Sequence, residues 1–538
     1  MMCISAHKTQ HVRAIAFATL AMLATMGGPA TATAQARGGD AGAQDGSAVF
    51  LPGNLVVSRS VYSQTSALPP YPFVWNQALI DASFGVTSPI FLDQLTPAGV
   101  LINSIQVPNS TQNGVPSTKD QMVTSFSSKS ELALNLSTDG GYLTFMGYVA
   151  PVDALDVSNT NTPAAIDSTN PVTGATYRAV AQIDQHGKLH FTMTNAYSGN
   201  NGRAVVLHNT DGANAYFTAG NAGNGSNPQP DGIVIGAGAQ IVTPEVRAEV
   251  AQQPGDPTPV ASFNVTQLGG KADKIGKDDN FRGLTIFNNV LYLTKGSGGN
   301  GVNTVYFVDT FGGSCPSGTG VPHTGAPLPI MALPYDSTAL QTTGLPSNMC
   351  ILRGFPSTRN SALKAKTTAY PFGVWFADAN TMYVADEGDG TPADATLTPA
   401  GLQKWVFNTV SQSWAHVYTL QTGLGLGATY SFPGDEAYPS GVNAATGIPW
   451  APITDGLRNI TGRVNGDGTV TIWGITSTVS GNGDQGADPN KLVAITDVLG
   501  NTSAAVALTE SFVTVRTAGY GEVLRGVSFT PGTSFDIP

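Results

Sequence analysis

The sequence predicts an all-β chain folded as a single β-propeller, six blades of four antiparallel strands each. Three observations predict it. One hairpin motif recurs five times, further strand-like segments follow several of its copies, and no long amphipathic helical pattern occurs beyond residue 36. Four-stranded sheets repeated without helices close best into a ring, which leaves only short, protected edges. Solenoid repeats are much shorter, and tandem sandwiches would not repeat one hairpin register.

The motif begins "ELALNLSTDGGYLTFMGY" at Glu131, "RAVVLHNTDGANAYFTAG" at Arg203, "RGLTIFNNVLYLTKGSG" at Arg282, "FGVWFADANTMYVADEG" at Phe372 and "RNITGRVNGDGTVTIWGITS" at Arg458. Each copy is a β-rich run, a turn, a second β-rich run and a loop. The turns fall at Asp139-Gly140, Asp211-Gly212, Asn288-Asn289, Ala379-Asn380 and Asp467-Gly468, 6 to 9 residues after each start. Asx and Gly tolerate the positive φ of tight hairpins. A constant offset means a constant strand length. "TYRAVAQIDQHGKLHFTMTNA", "LQKWVFNTVSQSWAHVYTL", "KLVAITDVLG" and "ESFVTVRTA" supply third and fourth strands. Spacings of 67 to 90 residues exceed a compact blade of about 40–50, and Gly, Pro, Asn and Thr-rich loops hold the excess.

A sixth start, "LRGVSFTP" from Leu524, reaches a turn at Pro531-Gly532 and goes no further. Three strand-like segments, "NLVVSRSVY", "PIFLDQLTP" and "VLINSIQVP", lie within 50–110 with no innermost strand before them. The two pieces complete one blade, with 524–538 as its innermost strand. Seven blades is the alternative count, because Leu352-Arg353-Gly354-Phe355 also matches the repeat start. Pro356 argues against a strand there.

Residues 1–36 read as a secretory leader. Lys8, His11 and Arg13 flank an apolar run from Ala14 to Met26, and Ala34-Gln35-Ala36 fits the cleavage pattern, with the cut before Arg37. The run is shorter than the ~20 residues of a membrane span. The propeller domain is then 37–538, outside the cytoplasm, in the periplasm or beyond. Without Lys8 and Arg13 the chain carries 23 Lys and Arg against 36 Asp and Glu, a formal charge of −13. That balance argues against nucleic acid as a partner and suits a monomer that resists self-association. Cys3 leaves with the leader. Cys315 and Cys350 remain, and an oxidising compartment predicts a disulfide between them, inside a loop insertion over 311–360.

Function is less legible. The starting ends of innermost strands share one face of a propeller, so Arg203, Arg282, Arg458 and Arg525 are expected around one channel mouth. Glu131 and Phe372 take the matching positions. Clustered guanidinium groups need compensation, either from an anionic ligand or from partners within the ring. Loops on the same face carry Asp386, Glu387 and Asp389, and also Asp484 and Asp488. Such hard oxygen ligands suit Ca²⁺, although their spacing is not that of an EF-hand. Solvated acidic turns are the plainer reading. No nucleophile elbow, H-E-x-x-H, haem or Walker motif occurs. His186, His190, His208, His323 and His416 show no ligand spacing. Trp375, Trp405, Trp414 and Trp473 sit in strand patterns and are expected to pack blades.

The stretches "GNLVVSRSVY…SPIFLDQLTPAGVLINSIQVP", "ELALNLSTDGGYLTFMGY", "AYSGNNGRAVVLHNTDG", "YVADEGDG" and "LRGVSFTP" resemble a family of secreted bacterial β-propeller proteins. The resemblance spans nearly the whole chain after the leader. It implies a propeller and export, and carries no activity. Six-bladed phytase-like propellers share the architecture, but their dense acidic metal cluster is not evident here. Three functions are therefore carried forward. They are binding of an anionic or glycan ligand at the Arg-lined mouth, calcium-dependent hydrolysis or lysis of an anionic substrate such as a polysaccharide, and a cell-surface scaffold.

Overall fold

The computed structural model describes residues 49–62, 86–116, 120–125, 132–154, 157–163, 166, 168, 170, 172–221, 238–244, 261–262, 280–296, 302–310, 313–315, 318–323, 328, 348–358, 369–433, 440–444, 447–481 and 488–534. Residues 1–36, where a leader is expected, Glu131 and Asp484 lie outside the described residues. Among the described residues, no helix is long and apolar enough to cross a membrane.

The chain forms a six-bladed β-propeller. From the axis outward, blade 1 is Glu522–Phe529, Leu55–Val61, Ile90–Leu95 and Leu101–Gln106. Blade 2 is Asn135–Leu136, Tyr142–Tyr148, Arg178–Asp184 and Leu189–Thr194. Blade 3 is Gly202–His208, Ala215–Gly220, Ala239–Val242 and Ala261–Ser262. Blade 4 is Phe281–Phe287, Val290–Lys295, Thr304–Asp309 and Asn348–Leu352, with Thr319–Gly320 added in parallel. Blade 5 is Pro371–Asp378, Thr381–Asp386, Gly401–Asn408 and Ser413–Leu420. Blade 6 is Ile453–Val464, Thr469–Val479, Lys491–Val498 and Val513–Thr517.

The shared blade closes the ring. Leu55 pairs with Phe529 and Val61 with Glu522, and Glu522–Phe529 also packs against the innermost strands of blades 6 and 2. The Leu352-Arg353-Gly354-Phe355 segment does not start a blade. It ends the fourth strand of blade 4, where Arg353 N donates to Gly320 O at 2.7 Å. The count is six. The 311–360 stretch differs from a plain loop, because Thr319–Gly320 and Asn348–Leu352 join the sheet. "NMCIL" is too short an apolar run amid polar residues to stand out as a strand.

The core lies between blades, not within a sandwich. One apolar cluster joins blades 3, 4 and 5, and others join blades 5 and 6, 6 and 1, 1 and 2, and 2 and 3. Strands buried on both faces lose the apolar–polar alternation of a half-exposed sheet. All seven residues of Gly202–His208 are buried. Trp405, Trp414 and Trp473 are buried among these layers, as their strand positions predict.

Two devices repeat where innermost strands meet. A hydroxyl on a second strand bonds the next blade's backbone: Ser58 Oγ to Leu132 O at 2.7 Å, Thr144 Oγ1 to Val205 O at 2.9 Å, and Thr294 Oγ1 to Phe372 O. The Gly after the repeat Arg makes room for that backbone. A Cβ on Gly283 would lie 2.3 Å from Phe372 O, and one on Gly526 would lie 2.3 Å from Leu132 O. The Arg-Gly pairs of the repeat are thus in part a packing signature.

The disulfide joins Cys315 to Cys350 across a sequence separation of 35. Replacing both by Ser is expected to cost about 3–4 kcal/mol through unfolded-chain entropy. Urea titration checks this. An unchanged midpoint would assign the segment's stability to strand pairing alone.

Candidate functional site

The four repeat Arg residues are buried. Arg203, Arg282, Arg458 and Arg525 are 4–5% exposed. Arg203 donates to Asn280 Oδ1, and to Phe281 O at 3.3 Å. Arg525 donates to Ser60 Oγ at 3.2 Å and to the Tyr62 hydroxyl. Arg203 thus ties blade 3 to blade 4, and Arg525 ties the two chain segments of blade 1.

Arg282 and Arg458 are brought together by a residue of the blade between them. Glu387 follows the second strand of blade 5. Its Oε1 lies 3.1 Å from Arg282 Nη2 of blade 4, and its Oε2 lies 3.3 Å from Arg458 Nε of blade 6. Both guanidinium groups face the Phe372 ring, at 5.9 and 5.8 Å from its centroid. Phe372 occupies the repeat position that Arg fills in the neighbouring blades. An aromatic face there attracts the flanking cations in place of a third like charge.

The pairing is incomplete. Arg282 Nε and Nη1 are buried and have no hydrogen-bond partner. Arg178 shows what a satisfied architectural Arg looks like in this fold. It is fully buried and donates to the carbonyls of Asn200, Thr176, Thr160 and Ser158. Leaving buried guanidinium N–H groups unpaired is costly.

Three more carboxyl groups adjoin Glu387. Asp386 accepts from Tyr370 N at 2.8 Å, Gly388 N at 3.0 Å and Gln403 Nε2 at 3.1 Å. Asp455, three residues before Arg458, accepts from Gly390 N at 2.8 Å through Oδ2, while its Oδ1 has no partner. Asp389 accepts from Thr391 N at 2.8 Å. Burial pushes Asp386 up to about 7, against the backbone donors, and Glu387 and Asp455 add to the rise. Burial likewise pushes Asp455 up to about 7, helped by Asp389 and Glu387 and opposed by Arg458.

A carboxyl whose folded pKa is raised keeps a proton that the unfolded chain releases near 3.8. Its contribution to stability is full below that value, falls as pH rises, and is gone above about 7. Asp455→Asn is therefore expected to match the native protein in acid and to exceed it progressively towards neutral pH. The gap should reach the order of a few kcal/mol, since one pKa unit is about 1.4 kcal/mol. Denaturant titrations across the pH range check this, and a pH-independent gap would refute it.

Asp488 is buried in blade 6, where its charge bears on the Tyr430 phenol. Among the described residues, no group of three or more His, Cys, Asp or Glu side chains is placed to hold a metal ion. With Asp484 outside the described residues, the calcium expectation has no described ligand set. Sequence patterns missed Asp455 and singled out Glu387 as a metal ligand. The "DGLR" run does put a carboxyl three residues before a repeat Arg.

No protein-family model and no curated protein matches the chain. Among solved structures, it is similar to the hemagglutinin-neuraminidase ectodomain of parainfluenza virus 5. The identity is 9%, the match covers 76% of this chain and 73% of that chain, and the TM-score is 0.33. It is also similar to extracellular domains 1–2 of Drosophila semaphorin 1a. There the identity is 10%, the coverage 81% and 88%, and the TM-score 0.27.

Proposed function

We propose that this propeller binds a compact oxyanion, a carboxylate, sulfate or phosphate group, at the Arg282–Arg458 pair. The observation that carries the reading is the unpartnered Nε and Nη1 of buried Arg282. Both are unused N–H donors of a cationic group that favours anionic oxygens, while Nη2, which shares the Nε edge, already meets Glu387. Glu387 already places a carboxylate between Arg282 and Arg458, so the pair accepts that chemistry. The Cys315–Cys350 disulfide supports an oxidising, extracytoplasmic setting, in line with the leader pattern.

Calorimetric titration with sulfate, phosphate and glucuronate tests this at constant ionic strength. Binding is expected in the native protein, weaker binding in Arg282→Lys, which replaces the planar set of donors with a point charge, and none in Arg282→Met. Equal response in all three would overturn it. A lowered melting temperature in Arg282→Met, with no anion response in the native protein, would leave the pair architectural and favour a scaffold.

A second reading is hydrolysis of the bound anion's ester. Asp455 favours it, because a carboxyl pushed up to about 7 retains a proton to donate to a leaving group near neutral pH. Release of nitrophenol from p-nitrophenyl phosphate or sulfate, abolished in Asp455→Asn, would support it. Absence of turnover with anion binding intact would leave binding alone.

A further inference from the structure

The hairpin ends of blades 2 and 3 flank an open cleft of about 370 Å³. Small-ligand sites begin near roughly 300 Å³. The cleft is formed where the innermost strands end, the face opposite the start of the strand that carries Arg282. It is independent of the anion site and does not rest on that reading.

Its floor is fixed across the blade boundary. Thr138 N donates to Leu207 O at 2.9 Å, and Asn209 N donates back to Thr138 Oγ1 at 2.9 Å. Asp139 N donates to Asn209 Oδ1 at 3.1 Å. The turn of blade 2 is thereby laced to the last residues of the innermost strand of blade 3. The positive φ of Asp211 and Gly212, 54° and 78°, then folds the chain back tightly beside it. Such a floor needs little ordering when a ligand arrives.

The chemistry of the walls selects the ligand. No Lys or Arg lines the cleft, and Asp139 does. Burial acts to raise the Asp139 carboxyl. The Ser137 hydroxyl and Gly141 N–H donate to it at 2.6 and 2.8 Å, and the balance falls below its ordinary value. A fixed carboxylate without a cation disfavours an anionic guest. Gln182 Oε1 accepts the Tyr216 hydroxyl at 2.6 Å, so its amide N–H₂ is the group left to donate. Tyr142 supplies aromatic surface, Leu207 and Pro244 supply apolar surface, and His190 and Asn214 add polar edges. A ring with one apolar face and a rim of neutral hydroxyls satisfies each of these groups.

We propose that this interblade cleft binds one neutral sugar ring, with Gln182 donating to and Asp139 accepting from its hydroxyls and Tyr142 covering its apolar face. Saturation-transfer NMR with glucose, galactose, mannose and N-acetylglucosamine tests it. At least one sugar is expected to give a signal. Tyr142→Ala should weaken binding about tenfold, the loss of one aromatic contact. Asn214→Trp, at an exposed rim position, should abolish it without touching the core. Val410→Ser, a 93% exposed residue of blade 5, should change nothing. Silence from all four sugars would overturn the proposal. So would a signal that survives Asn214→Trp. Because Asn214→Trp leaves the core alone, the test stands even where Tyr142→Ala fails to fold.

Discussion

Glu387→Ala is expected to destabilise the ring by about 3–5 kcal/mol and to make its stability depend on added anions. Glu387 is the acidic group that meets both Arg282 and Arg458, and all three side chains are 3–5% exposed. Its removal leaves two buried guanidinium groups beside the Phe372 ring with no carboxylate between them. Breaking a buried pair from one side costs far more than the pair contributed, because the remaining charge is neither solvated nor matched. The same removal vacates the position of a carboxylate between two Arg residues. Sulfate or phosphate should occupy it and recover part of the loss, by roughly 2–3 kcal/mol when the anion is near a hundredfold above its Kd. Urea titrations of Glu387→Ala in chloride and in phosphate read both effects. Glu387→Gln, which keeps an acceptor oxygen, should fall between the two. A loss under about 1 kcal/mol would mean that the pair is screened like a surface bridge. Destabilisation without anion recovery would count against the oxyanion reading and leave Glu387 as a bolt between three blades.

Lys404→Met is expected to cost a similar amount, about 3–5 kcal/mol, without any anion dependence. Lys404 and Asp497 are both fully buried, with Nζ 2.9 Å from Oδ2. Nζ also donates to Val498 O at 2.8 Å and Asn501 O at 3.0 Å. The Tyr418 hydroxyl donates to Asp497 Oδ1 at 2.8 Å, and Tyr383 donates to Oδ2. Blade 5 supplies Lys404, Tyr383 and Tyr418, and blade 6 supplies Asp497. Burial, reinforced by Asp497, pushes both phenols well above their ordinary range, so they remain donors. Removing the ammonium leaves Asp497 buried with the two phenols and the Glu510 carboxyl, which burial and Asp497 push up to about 7. A double-mutant cycle with Asp497→Leu separates the pair's coupling from the cost of the orphaned carboxylate. A coupling near zero would show that the two phenols suffice.

The fold was legible because its unit is local. Asp211-Gly212 and Asn288-Asn289 turns take the positive φ that a tight hairpin needs. Strands of nearly equal length on both sides then repeat around the ring. The fourth strand of blade 4 was not legible, since Asn348–Leu352 gains its strand state by pairing with Thr304–Asp309 across the disulfide segment. The site was half legible. The Arg positions follow from the repeat register, whereas their partners do not. Arg203 meets Asn280 and Arg525 meets Tyr62, neither of which belongs to a motif. Asp455 gains its raised pKa from burial against a different blade, and no spacing in the chain encodes that.

The sequence by itself determined the hairpin unit and the sharing of one blade between 50–110 and 524–538, and it left six or seven blades open. These depend on turn chemistry and strand periodicity, which act over a few residues. Only the tertiary structure decided which charges meet. Arg282, Glu387 and Arg458 come from three blades, and Asp139 and Asn209 from two. Ring closure places such residues within hydrogen-bond reach, and burial there changes what a carboxyl or guanidinium does. Both effects depend on distance in space, which the order of residues along the chain does not record.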